Sequence, residues 1–182
     1  VSGASIARGT SFLSEKKNTL ILNESVNIVN KPHLKRGVGS VPYDFNGVKN
    51  GNMHVVKGGK LVNFFLSSRS ARQLKEAPNG NSSPYNLTLE AGNINKKDII
   101  ASIKKGFYVT EMLGMSFNSA NGDYSRGAAG FLIENGEISY PVSEVTIAGN
   151  MNDMLKKLVP ANDLDTDENI NTPTILIEKM TL

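Results

Sequence analysis

Two dipeptides, Gly58-Gly59 and Asn135-Gly136, each separate two apolar-rich runs, and that arrangement commits both regions to β-hairpins. A two-residue loop closes antiparallel strands in type I′ or II′ geometry, which needs the positive φ that Gly and Asn tolerate. Counting outward from Asn135-Gly136 sets Ile133 against Ile138 and Phe131 against Tyr140, with Glu134 and Glu137 meeting beside the turn. Counting outward from Gly58-Gly59 sets Val56 against Leu61, Val55 against Val62 and Met53 against Phe64. Met53, Val55, Val62 and Phe64 then share the face expected to be core, and His54 falls on the more polar face beside Asn63.

Further strands are expected at Thr19 to Val29, Phe107 to Met112, Val142 to Ala148 and Thr174 to Met180, all rich in β-branched or aromatic residues. The spacing predicts a helix from Lys96 to Lys105, capped by Asn95, with Ile99, Ile100 and Ile103 as its buried stripe and Gly106 as its end. A second helix follows Asn150 as cap, turns Met154, Leu155 and Leu158 inward and stops at Pro160. A third spans about Arg69 to Glu76. Ala77 to Pro84, with two prolines and an Asn-Gly step, reads as a long, flexible surface loop inside one domain. The fold class is α+β: a β-rich chain with a mainly antiparallel sheet or barrel-like core and two to three packed helices.

Composition narrows the function classes. The absence of cysteine rules out disulfides and thiolate ligands and points to a reducing cytoplasm. A net charge of +3 is carried by lysines spread among acids, which argues against a nucleic-acid partner. No apolar run approaches the roughly 20 residues that span a bilayer, so no membrane is expected. The chain opens on Val1 and small residues instead of methionine, and part of a longer protein is expected upstream. Acceptor-like tripeptides at Asn23, Asn81 and Asn86 carry no weight in so Asn-rich a chain.

The residues do not assemble a catalytic or metal constellation. His33 and His54 are the only histidines, far apart and without a second imidazole or carboxylate at ligand spacing. Asp163, Asp165 and Asp167 imitate the start of a calcium loop, but Glu168 stands where a sharp turn needs Gly and Thr174 where a bidentate Glu is needed, so they read as a solvated acidic loop. Gly37-Val38-Gly39 lacks the third glycine of a dinucleotide fingerprint, and no serine sits in a nucleophile elbow.

The most unusual stretch is Gly122-Asp123-Tyr124-Ser125-Arg126-Gly127-Ala128-Ala129-Gly130, read as a Gly-rich turn leading into a strand that begins at Phe131. Its composition supports two readings: a turn with small-residue packing, or a surface where a partner chain or extended peptide docks because small residues let another backbone come close. In the second, Asp123, Tyr124, Ser125, Arg126 and Gly127 are the partner- or peptide-binding candidates, with Asp123 and Arg126 as polar contacts; in the first, Asp123 and Arg126 pair locally.

Continued to Ile138, that stretch resembles the PmbA (TldE) branch of the TldD/PmbA metalloprotease family. The likeness extends over Tyr140-Pro141-Val142, Val145 to Met151 and Asn162-Asp163, and upstream over Ala7 to Phe12, Pro32-His33-Leu34, Gly37 to Asp44 and Ser70 to Leu74. TldD-type members carry a His-Glu-x-x-x-His helix just before the segment matching Val1 to Phe12 and a cysteine near the C-terminus, and neither is found here. The resemblance implies a C-terminal domain, residues 1 to 182, of a non-catalytic subunit that holds no cofactor of its own. It implies a TldD-type catalytic partner bearing the zinc, a cytoplasmic location, and peptides or unfolded proteins as substrates, with a homodimer as the form of the isolated chain. The alternative is a peptide- or protein-binding regulatory module of the DNA gyrase modulator type, acting without protease activity.

Overall fold

The computed structural model describes residues 1–114 and 116–182. In chain order the elements are α1 (Gly3–Ala7), β1 (Ile28–Asn30), β2 (Met53–Lys57), β3 (Lys60–Leu61), α2 (Ser68–Leu74), β4 (Leu87–Leu89), α3 (Lys96–Ala101), β5 (Lys105–Leu113), β6 (Asp123–Glu134), β7 (Glu137–Asn150), α4 (Met151–Lys156), β8 (Leu158–Pro160), β9 (Ile170–Asn171) and β10 (Ile175–Ile177). The expected α+β class holds. The strands form a five-stranded sheet in the order β3-β2-β1-β4-β9, a three-stranded sheet β5-β6-β7 and a pair β10-β8, and no closed barrel is found among the described residues. All pairings are antiparallel except β4 with β9.

The first hairpin forms about Gly58-Gly59, both at positive φ, with Val56 opposite Leu61. Beyond that pair Val55 O accepts from both Val62 N and Asn63 N, at 2.9 and 3.3 Å, so the arm kinks and the simple count outward fails. Both sides of the arm are consequently interior: Val56 and Leu61 are as buried as Met53, Val55 and Phe64, while Val62 is only half-buried. His54 is exposed, and its carbonyl accepts from Asn63 Nδ2 at 2.8 Å.

Thr19 to Val29 corrects the strand expectation, since only its last two residues belong to β1. The preceding chain wraps the tip of the first hairpin: Ile21 N and Leu22 N both donate to Gly59 O, and Gly59 N donates to Val26 O. Ile21 and Leu22 are consecutive and both buried, which an alternating strand against one core face does not allow. With Val26, Val55, Val56 and Leu66 they form the main core. α1, which the sequence reading missed, packs against α2 where a Cβ on Gly3 would lie 2.6 Å from Phe65 O and 2.8 Å from Ser70 Oγ. Only glycine permits that approach.

The caps are legible and the helix lengths are not. Asn95 accepts from Lys97 N at 2.8 Å and Asn150 from Asn152 N at 3.0 Å, as expected of caps. However, α3 ends at Ala101, not Lys105, because β5 already begins at Lys105. α4 ends at Lys156, and Leu158–Pro160 becomes β8. The loop from Ala77 to Pro84 is not loose: Gly80 and Asn81 are buried, and Asn79 Nδ2 donates to Phe64 O at 2.9 Å. Asn81 and Asn86 are 2% and 1% exposed, which removes them as glycosylation acceptors.

The second hairpin forms as expected at its tip, with Asn135 and Gly136 at φ 51° and 84° and Ile133 opposite Ile138. A register shift then places Phe131 opposite Pro141 instead of Tyr140, a bulge that lets an edge strand carry proline. Asn135 N and Gly136 N donate to Lys104 O and Ile103 O, both at 2.8 Å, anchoring the tip just beyond α3.

Candidate functional site

The opposite end of the three-stranded sheet carries Asp123 to Gly127, and there the turn reading needs correction. β6 begins at Asp123, eight residues before Phe131, so all five candidates lie in a strand and the turn is the preceding Ser119 to Gly122. The glycines explain why. A Cβ on Gly130 would lie 2.0 Å from Tyr108 O, so the missing side chain admits β5 of this same chain at a bulge between Val109 and Glu111. The backbone that comes close is internal.

Strand alternation divides the five residues. Tyr124 and Arg126 point to one face, and Asp123, Ser125 and Gly127 to the other. Asp123 is exposed, and its carboxylate accepts from Asn121 Nδ2 at 2.6 Å and Asn150 Nδ2 at 2.9 Å. Arg126 is half-buried, its Nη2 donates to Met112 O at a long 3.4 Å, and its buried Nε has no acceptor. Asp123 and Arg126 do not pair: Lys17 with Glu76 is the one ion pair among the described residues.

Residues 116 to 118 fold back on the start of β6: Ser125 N donates to Ser116 O at 3.0 Å and Asn118 N to Asp123 O at 2.8 Å. That return brings Phe117 opposite Tyr124. Ser116, Phe117, Tyr124, Arg126 and Met151 line a shallow hollow of about 260 Å³. Tyr124 Oη donates to Met112 Sδ at 3.2 Å, and Phe12 meets Phe117 edge-to-face at 6.1 Å, which ties the hollow to the N-terminal segment. The sequence reading found Tyr124 and Arg126 and missed Ser116, Phe117 and Met151. The available signal was Phe117, an aromatic in a polar turn-forming stretch, left 47% exposed by the fold.

Among the described residues no zinc-type set of donors comes together. His33 Nε2 meets Asn50 Oδ1 at 2.7 Å, His54 lies out on the first hairpin, and no three of His, Cys, Asp and Glu converge among the described residues. Asp163 turns its carboxylate to Thr174, accepting from its N at 2.8 Å and its Oγ1 at 2.7 Å. Those bonds hold the Asp163 carboxyl below the usual carboxylate range, with Lys96 adding a smaller effect of the same sign. Lys96 Nζ donates to Tyr108 Oη at 2.7 Å, and that bond raises the Lys96 ammonium above its ordinary value. Among the described residues no helix is long and apolar enough to cross a membrane.

Comparison with known proteins gives this geometry a setting. Residues 1–182 match the PmbA/TldA metallopeptidase C-terminal domain family. The metalloprotease PmbA of Escherichia coli is 37% identical over 182 residues, covering 99% of this chain and 40% of that protein. The PmbA homologue of Haemophilus influenzae is 37% identical over 183 residues, covering 99% of this chain and 41% of that protein. The chain thus spans about two fifths of the length of these relatives. A crystal structure from Bacteroides thetaiotaomicron, named as a candidate modulator of DNA gyrase, superposes with a TM-score of 0.90 at 30% identity, covering 98% of this chain and 41% of that one. TldE from Thermococcus kodakarensis shares the fold, with a TM-score of 0.85 at 23% identity over 100% of this chain and 45% of that one. A match along its whole length, with PmbA relatives above one third identity, places this chain in the PmbA/TldD metallopeptidase family.

Proposed function

We propose that this chain is the C-terminal domain of a non-catalytic subunit of a TldD/PmbA-type metalloprotease that processes or degrades peptides and unfolded proteins. In this reading a TldD-type partner carries the zinc and the reacting groups, and the complex works in the cytoplasm. The observation that carries the reading is the family match along residues 1–182 together with PmbA relatives at 37% identity. Asp123 to Gly127 contribute to the surface facing the partner or its peptide. The unneutralised Arg126 supports that role, as do Met112 and Phe117, large apolar side chains left exposed beside it at the same end of the sheet. The test is co-purification with a TldD-type subunit, followed by peptide cleavage by the mixture and by each protein alone. Cleavage by the mixture only supports the reading, and cleavage by this protein alone contradicts it.

A second reading is a peptide- or protein-binding regulator of the DNA gyrase modulator type, favoured by the descriptions of structural relatives from Bacteroides thetaiotaomicron and Thermotoga maritima. It requires function without a TldD-type partner, which the same experiment decides.

A further inference from the structure

We infer that the hollow between Phe117, Tyr124, Arg126 and Met151 takes the C-terminal end of a peptide whose last side chain is apolar, with the terminal carboxylate on Arg126. This deepens the peptide-facing reading above and rests on it. Tyr124 and Met151 are half-buried, and Phe117 keeps 47% of its surface in solvent, so the lining is rich in ring and thioether carbon with no cover from the described residues. A volume of about 260 Å³ admits a short end of extended chain but no folded element.

Charge selects the occupant. A guanidinium offers five N–H donors in a fork that matches a carboxylate with two parallel bonds. Arg126 uses one of them, on Met112 O at 3.4 Å, and its Nε is buried out of a ligand's reach, which leaves the remaining Nη hydrogens for a carboxylate. Asp123, the acid nearest to it in β6, is held on the other face by Asn121 and Asn150 and leaves the cation unneutralised. The hollow is open, so a carboxylate there keeps part of its hydration while it pairs with the guanidinium, and the desolvation cost stays small. An acidic side chain would bring the charge without an apolar group beside it. The last residue of a peptide carries both on a single Cα, and that matches a hollow in which the guanidinium and the apolar walls adjoin.

Fluorescence anisotropy of the full-length protein with an N-terminally dye-labelled Gly-Ser-Gly-Ser-Gly-Leu peptide tests this, using the free acid, the C-terminal amide and a free acid ending in serine. The free acid ending in leucine is expected to bind about tenfold to a hundredfold more tightly than the amide, the range for a charge-assisted contact. Arg126→Ala should abolish that difference, Arg126→Lys should keep part of it, and Phe117→Ala should bring the leucine-ended acid down to the serine-ended one. Equal binding of acid and amide, or binding of neither, overturns the carboxylate pocket. If acid and amide bind equally and Arg126→Ala weakens both, the pocket is overturned while the peptide-facing surface stands. If no peptide binds and Arg126→Ala dissociates the protein from a TldD-type partner, the pocket is overturned and the surface belongs to the partner.

Discussion

Asn30 and Asn81 meet inside the protein: Asn30 Nδ2 donates to Asn81 Oδ1 at 2.8 Å, with the two residues 0% and 2% exposed. Asn30 Oδ1 accepts from Tyr85 N at 2.6 Å, and Asn81 Nδ2 donates to Asn79 O at 2.9 Å, so β1 is stitched through two side chains to the segment between Asn79 and Tyr85. Asn81→Ala strands buried donors and acceptors without water to replace their partner, and is expected to cost about 2 to 4 kcal/mol. Denaturant unfolding of the full-length protein measures it, and Asn30→Ala combined with Asn81→Ala should cost less than the sum of the two single changes.

Gly80 and Gly136 have positive φ, 66° and 84°. A Cβ at Gly80 would lie 2.2 Å from Lys49 O and one at Gly136 2.7 Å from Ala101 O, in each case against backbone that cannot swing aside. If Ala77 to Pro84 were the flexible loop that its sequence suggests, Gly80→Val could readjust and would do less damage than Gly136→Val. The structure removes the reason for that difference, because Gly80 is buried and packed on the Lys49 backbone. Each substitution carries backbone strain of about 1 to 3 kcal/mol before the clash is counted. Gly80→Val should lower the thermal midpoint at least as far as Gly136→Val.

These two sites show where sequence legibility ends. Turn chemistry at Asn135-Gly136 and caps at Asn95 and Asn150 are local, set by φ and by hydrogen bonds two residues away, and the sequence declares them. The packing of Gly80 on Lys49 and of Gly130 on Tyr108 depends on residues about 20 to 30 positions away, and glycine in a list of turn formers looks the same in both roles. For that reason Asp123 to Gly127 reads as a turn and folds as a strand, and the hollow beside Arg126 became visible only once Phe117 and Met151 were brought to it. The family itself was legible in the Gly122 to Ile138 stretch, and the match over residues 1–182 bears that out.

Asp163 gives the fold an acid-sensitive tie between the segment after β8 and the start of β10. Its carboxyl is held below the ordinary value, so the folded state binds that proton more weakly than the unfolded state does. The contribution is present above the ordinary carboxylate range and lost as pH falls through the lowered value. The group is exposed, so the effect is a modest one. Asp163→Ala should flatten the corresponding limb of stability against pH in acid, measured by denaturant unfolding, and leave the limb above neutrality unchanged.

If the proposed complex with a TldD-type partner forms, its zinc content should be independent of this chain's two histidines. His33→Ala with His54→Ala removes both imidazoles, one engaged with Asn50 and one exposed. Elemental analysis of the reconstituted complex should return the same zinc content as the parent, and a loss of about one zinc per complex would show that this chain supplies a ligand.

In the proposed assembly the start of β6 faces the catalytic partner or its peptide, with Arg126 as the residue on which that role depends most. Its one side-chain hydrogen bond among the described residues, at 3.4 Å to Met112 O, is long and its Nε is buried without an acceptor, so Arg126→Ala should leave the melting temperature nearly unchanged. Truncating one member of a buried, charge-assisted contact across an interface costs about 2 to 5 kcal/mol, which weakens assembly a hundredfold or so at mid-range. The deciding measurement is peptide cleavage by a TldD-type subunit mixed with the Arg126→Ala protein at matched concentrations. Loss of complex or of cleavage with the fold intact is expected, and assembly and cleavage equal to the parent would rule out this role for Arg126.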